Sequence, residues 1–179
     1  MNFKGAFLIK HQNKMTKMES PYIENPDRLA KVIAAIQAMA TYKFYKLDFA
    51  EWSDRIYGHK GNVKELETIF KDHPEFFRLD GDRKKASLVL RRNYPKVYNV
   101  DTFSEISKQE FLKLGIEEKK RISRSPLRDE DISMLINTAI GLHEHALKVK
   151  QDQRWWISIV LVIIAGAIGL IPFILEKVL

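Results

Sequence analysis

The 179-residue chain contains no cysteine. That excludes a disulfide frame, a thiol nucleophile and a thiolate metal site, and it suits a reducing compartment. Glycine is sparse, with eight residues. None falls in a phosphate-cradling loop followed by Lys-Ser/Thr, in a Gly-x-Ser-x-Gly elbow or in a dinucleotide fingerprint. Histidine is equally thin. His143 and His145 flank Glu144, but two apart they fall on different helix faces, whereas a zinc-protease helix needs its pair four apart. Carboxylates are plentiful, yet they fall at helix starts and on solvated faces. No catalytic residue, metal ligand or cofactor is assigned, and the chain reads as non-enzymatic.

Charge is missing altogether from Trp155 to Leu175. A helix of that length covers a hydrocarbon layer of roughly 30 Å at about 1.5 Å per residue, so a transmembrane helix is expected over 155–175. Lys148, Lys150 and Arg154 precede the run, while Lys177 follows beside Glu176. The cytoplasmic flank carries the Lys/Arg excess, which predicts a single-pass, tail-anchored protein with its N-terminal body in the cytoplasm, at a bacterial inner membrane. Arg154, Trp155, Trp156 and Lys177 are the expected membrane-interface residues, with lipid as their partner. Ala165 and Gly169, four apart, offer a small-residue face for helix association.

What remains is a basic body. The net charge is +7, and Glu176 and Lys177 cancel. Residues 1–24, with Lys4, Lys10, Lys14 and Lys17, read as a flexible basic arm. Asn25-Pro26-Asp27 then supplies a cap, a first-turn proline and a first-turn acid. Leu29, Val32, Ile33, Ile36 and Ala40 recur at helical spacing, predicting a helix over about 26–40. Tyr42 to Leu47 reads as a short strand. Asp48 with Glu51, and Asn62 with Glu65, start two further helices; Gly58 closes the first and Pro74 stops the second. Phe76–Leu79, a turn at Asp80-Gly81-Asp82, and Ala86–Leu90 predict a hairpin.

The order helix, short strand, helix, helix, strand, turn, strand resembles the winged-helix domain over residues 26 to about 92. The fold class is mainly α with a small β-hairpin, with the winged-helix-like domain set at 25–100. The resemblance implies a third helix that enters a DNA groove and a hairpin wing that touches phosphates, although many members bind proteins or pair with themselves. Arg78, Arg83, Lys84, Lys85, Arg91 and Arg92 cluster on or beside this hairpin as the candidate site for phosphate or an acidic partner. Their alternative use is a solvated edge that blocks unwanted strand pairing. The third helix sets Lys64 and Lys71 against Glu65, Glu67 and Asp72, and carboxylates repel phosphate. Nucleic acid is therefore the less favoured partner.

Residues 101–124 form a short-helix connector. Ser107 with Glu110 makes a capping box before Phe111, Leu112 and Leu114. Ser125-Pro126 is the expected start of a long amphipathic helix over 125–154. There Ile132, Leu135, Ala139, Leu142, Ala146 and Val149 alternate three and four apart as a heptad seam. Ile136, Ile140 and Leu147 make a second apolar strip. Two arrangements stay open: a self-associating stalk, or a helix folded against its own domain. The leading functional expectation is a membrane-anchored adaptor or sensor with a protein partner or a homo-oligomer. A tethered nucleic-acid binder and a membrane-disrupting effector are the alternatives.

Overall fold

A computed structural model of the chain describes residues 20–152 and 156–165. It is mainly helical with two small antiparallel sheets. The helices α1 (Pro21–Glu24) and α2 (Arg28–Thr41) come first, followed by β1 (Leu47–Asp48), α3 (Phe49–Tyr57) and α4 (Val63–Asp72). The hairpin strands β2 (Phe77–Leu79) and β3 (Lys85–Leu88) complete a three-stranded sheet of order β1-β3-β2. The start of α2 is two residues later than expected, with the Asn25 side chain accepting the Asp27 N–H at 2.8 Å. The predicted strand over 42–47 shrinks to β1, since only Leu47 and Asp48 find partners, in Ala86 and Lys85.

Local chemistry explains the helix ends. Asp48 accepts the Glu51 N–H at 2.8 Å, and Gly58 closes α3 at φ 76°, a left-handed conformation that costs glycine little. The core follows from the same periodicity. Val32, Ile36 and Met39 of α2 meet Trp52 of α3, Leu66, Ile69 and Phe70 of α4, and Phe77, Ala86 and Leu88 of the sheet. Trp52 is fully buried and its indole N–H donates to the Ala86 carbonyl at 3.0 Å, so the largest core side chain leaves no polar atom unmet. In the sheet register Phe77 lies opposite Leu88, and Leu79 opposite Ala86. The alternate residues Arg78, Ser87 and Lys85 therefore share the other face.

A second sheet, of order β5-β4-β6, is assembled from β4 (Tyr98–Asn99), β5 (Ser104–Glu105) and β6 (Ile122–Ser123). It was not anticipated. Between its strands run α5 (Lys108–Lys113) and α6 (Ile116–Lys120); α5 carries both halves of the expected Ser107/Glu110 capping box. The last helix of the body, α7, spans Asp129–Asp152 and starts four residues beyond the expected Ser125-Pro126. Ser123 and Ser125 are instead buried, and Leu127 donates its N–H to the Ala40 carbonyl at 3.0 Å.

The heptad seam finds its partner within the chain. Leu135, Ala139 and Ala146 are buried and Ile132 is partly so, with α7 lying along α2 and α1. The small Ala139 and Ala146 let the helices approach closely. Leu142 and Val149 remain exposed. Of the two open arrangements, docking against the chain's own body is the one observed. At the other end of the described chain, Tyr22 of α1 is buried against this helix; it belongs to the stretch expected to be a flexible arm.

The membrane placement is corrected. Among the described residues no helix is long and apolar enough to cross a membrane. The described part of the apolar run, 156–165, is helical and exposed. A span must cover roughly 30 Å of hydrocarbon, and no helix among the described residues is both long and apolar enough for that. This overturns the single-pass, tail-anchored protein with a cytoplasmic body. Trp156 is exposed; Arg154, Trp155, Gly169 and Lys177 lie outside the described residues, and Ala165 is the last described residue of the run.

Candidate functional site

Three groups of residues are the candidates: the outward face of α4, the β2–β3 turn and an aromatic strip over residues 42–45. Leu66, Ile69 and Phe70 turn one face of α4 into the core. That fixes the direction of every other side chain on it. Glu65 reaches Lys31, and Asp72 meets Arg28 at 3.0 Å, so two of the three carboxylates expected on the outward face are spent against α2. Outward stand Lys64, Thr68 and Lys71, all exposed and spaced four and three apart on one face. Lys71 keeps the third carboxylate, Glu67, at 2.6 Å.

The β2–β3 turn is closed by Asp80. Its carboxylate accepts the N–H of Lys84 at 2.9 Å and of Lys85 at 3.1 Å. The Lys85 N–H foremost, with that of Lys84 and the nearby ammonium groups of Lys46 and Lys85, holds this carboxyl below its ordinary value. Arg83 sits in the turn at φ 54°. Arg78, Arg83, Lys84, Lys85 and Arg92 are exposed, and none joins an ion pair among the described residues.

Arg91 does not belong with them. It is fully buried, and its guanidinium donates to the carbonyls of Ser125 at 3.0 Å, Met39 at 2.7 Å, Arg124 at 2.8 Å and Lys43 at 3.4 Å. Burial lowers it to about 10, still protonated at neutral pH. With its donors committed to backbone, Arg91 cannot reach a phosphate. Its role is to tie the end of α2 to the segment that follows β6.

The aromatic strip was missed by sequence reasoning, although Tyr42-Lys43-Phe44-Tyr45-Lys46 interleaves rings and cations in the sequence itself. Arg55 lies over Tyr42 at 5.0 Å, Arg121 over Phe44 at 5.4 Å and Arg124 over Tyr45 at 5.3 Å. The Lys43 ammonium stands 5.9 Å from the Phe44 ring and 5.6 Å from that of Phe103. Tyr42, Phe44, Arg55 and Lys60 also line a pocket of about 170 Å³ with Leu47, Glu51 and Asp54. Phe103 is at the β4–β5 turn, 65% exposed and at φ 55°. Asn99 accepts the Asp101 N–H at 2.9 Å across that turn, and Asp101 takes a two-pronged bond from Arg121.

Away from this surface, His73 is fully buried beneath Tyr22, ring centres 4.5 Å apart. Its Nδ1 faces Glu75 at 3.1 Å and its Nε2 has no partner. His143 closes on the same Tyr22 ring at 6.1 Å. Among the described residues no group of three or more potential ligands could hold a metal ion. No protein-family profile, no curated protein and no solved structure matches the chain.

Proposed function

We propose that the chain is a non-enzymatic module with a winged-helix-like core that holds the phosphate backbone of a nucleic acid. The core reading is supported by the order α2, β1, α3, α4, β2, β3 and by the sheet order β1-β3-β2. One observation carries the ligand class. Glu65 and Asp72 are turned to Lys31 and Arg28, which leaves Lys64 and the Arg83-Lys84-Lys85 turn as cations outside any ion pair among the described residues, with Asp80 the one carboxylate built into that turn. Charged groups placed this way neutralise phosphates and release counterions, without reading bases.

The test is titration of a labelled DNA duplex at several salt concentrations. Removing Arg83, Lys84 and Lys85 together should weaken binding and flatten the log–log salt slope by up to about 2.7, at roughly 0.9 per phosphate contact. Unchanged affinity and slope in that triple variant would end the reading. A second reading, an adaptor for a protein partner, draws on Leu112 and Ile116, which stand 68% and 80% exposed on α5 and α6. It requires that Leu112→Ser with Ile116→Ser abolish capture of that partner while leaving DNA titration unchanged.

A further inference from the structure

We infer that Phe103 is a stacking contact for an unpaired nucleobase, in a site completed by Lys43 and Arg121. The inference rests on the nucleic-acid reading above and adds single strands, or bases turned out of a duplex, as the form bound. A phenylalanine is an unfavourable choice for its position. Its φ of 55° lies in a region that bulky residues seldom occupy, at a cost of about 1–2 kcal/mol. Nor does the ring recover that cost by burial, since it is 65% exposed. The turn is nonetheless held in place: Asn99 accepts the N–H of Asp101, the Thr102 and Ser104 hydroxyls bond each other at 2.8 Å, and Asp101 is clamped by Arg121.

The surroundings select the ligand. Lys43 stands between the rings of Phe44 and Phe103, and Arg121 lies over Phe44. An apolar protein surface covering Phe103 would strip water from the Lys43 ammonium without replacing it, which is costly. A nucleic-acid strand brings a phosphate for the cation with each flat base for a ring. Ring-and-cation surfaces of this kind bind single strands, each stacked base adding substantially and with little sequence preference. Arg121 is partly neutralised by Asp101, so Lys43 supplies most of the uncompensated charge beside the ring.

The experiment uses the full chain and a fluorescein-labelled single-stranded DNA oligonucleotide of mixed sequence, beside the duplex made from it. Phe103→Ala should weaken single-strand binding roughly five- to 150-fold, leave duplex binding within about twofold, and be rescued by Phe103→Trp. Exposure of the ring means that both variants should keep the parent urea midpoint. Unaltered single-strand affinity in Phe103→Ala overturns the inference, as does a parallel loss on both DNA forms or failure of Phe103→Trp to rescue. The wing reading fails separately, by duplex binding that ignores the loss of Arg83, Lys84 and Lys85 while Phe103→Ala still acts on single strands. No binding of either DNA by the unsubstituted chain ends both.

Discussion

Two hairpins in this molecule are built by one device and stand on very different ground. In the β2–β3 turn, Asp80 accepts the backbone N–H of Lys84 and Lys85; in the β4–β5 turn, Asn99 accepts those of Asp101 and Thr102. Each turn carries a non-glycine residue in the left-handed region, Arg83 in one and Phe103 in the other. Beneath the first lie Phe77, Ala86, Leu88, Trp52 and Phe70, a continuous apolar core. Beneath the second, Val100 and Ile122 are buried, but neither belongs to that core cluster. Polar bonds, cation–ring contacts and the reach of Arg91 hold it instead. A sheet of two-residue strands can be ordered without a core of its own if a neighbour supplies the anchor.

Arg91 is where that comparison should break hardest. Arg91→Ala strands buried carbonyls on both sides of the junction, and we expect a loss of about 3–5 kcal/mol in urea unfolding. Proteolysis should then cut first within 98–123. A loss under about 1 kcal/mol would show that the second sheet needs no such anchor.

Overpacking the α2–α7 contact comes next. Ala139→Leu, at a fully buried site, should cost about 1–3 kcal/mol while leaving the mass in light scattering unchanged. A stable variant, or one that alters an oligomer, would return the seam to the self-association it first suggested.

The effect of pH on the first region should be smaller. Burial, ahead of the opposing pull of Glu75, lowers His73 from 6.5. The unfolded chain therefore takes up this proton more readily than the folded one. Stability from this site is present in full above about pH 6.5 and is lost as pH falls below it, until the folded histidine also titrates. His73→Gln should flatten the dependence of the urea midpoint between about pH 7.5 and 5.5, and an unaltered slope would place the titration elsewhere.

Smallest is Phe103→Gly, which relieves the left-handed strain while giving up chain entropy. Melting should place it within about 1 kcal/mol of the parent, in either direction. A large loss would mean that the ring is structural.

Much of the first region was legible in the sequence because its signals are local. Asp48 with Glu51 and Gly58 act within one turn of helix and appear where expected, as does the Ser107/Glu110 box in the second region. The apolar spacing of α2, α3 and α4 likewise named the core. Directions set by tertiary packing were not legible. Glu65 and Asp72 could be placed on a helix, but only the position of α2 decides that they meet Lys31 and Arg28. Arg91 looked like its neighbour Arg92, since nothing in a run of arginines marks the one that turns inward. The second sheet escaped because two residues per strand cannot show an alternating period. The run at 155–175 misled for the opposite reason: hydropathy over a long window outweighs every local signal, yet no helix among the described residues is both long and apolar enough to cross a membrane.

The bonding of Arg91 also has a consequence for synthesis. Its acceptors lie 52 and 48 residues upstream, at Met39 and Lys43, and 33 and 34 residues downstream, at Arg124 and Ser125. A ribosome adding about 5–20 residues per second leaves this guanidinium without half of its acceptors for roughly 2–7 seconds. Throughout that interval closing the core would enclose a cation with donors unmet. Arg91 can be fully satisfied only once the segment through residue 125 is in place.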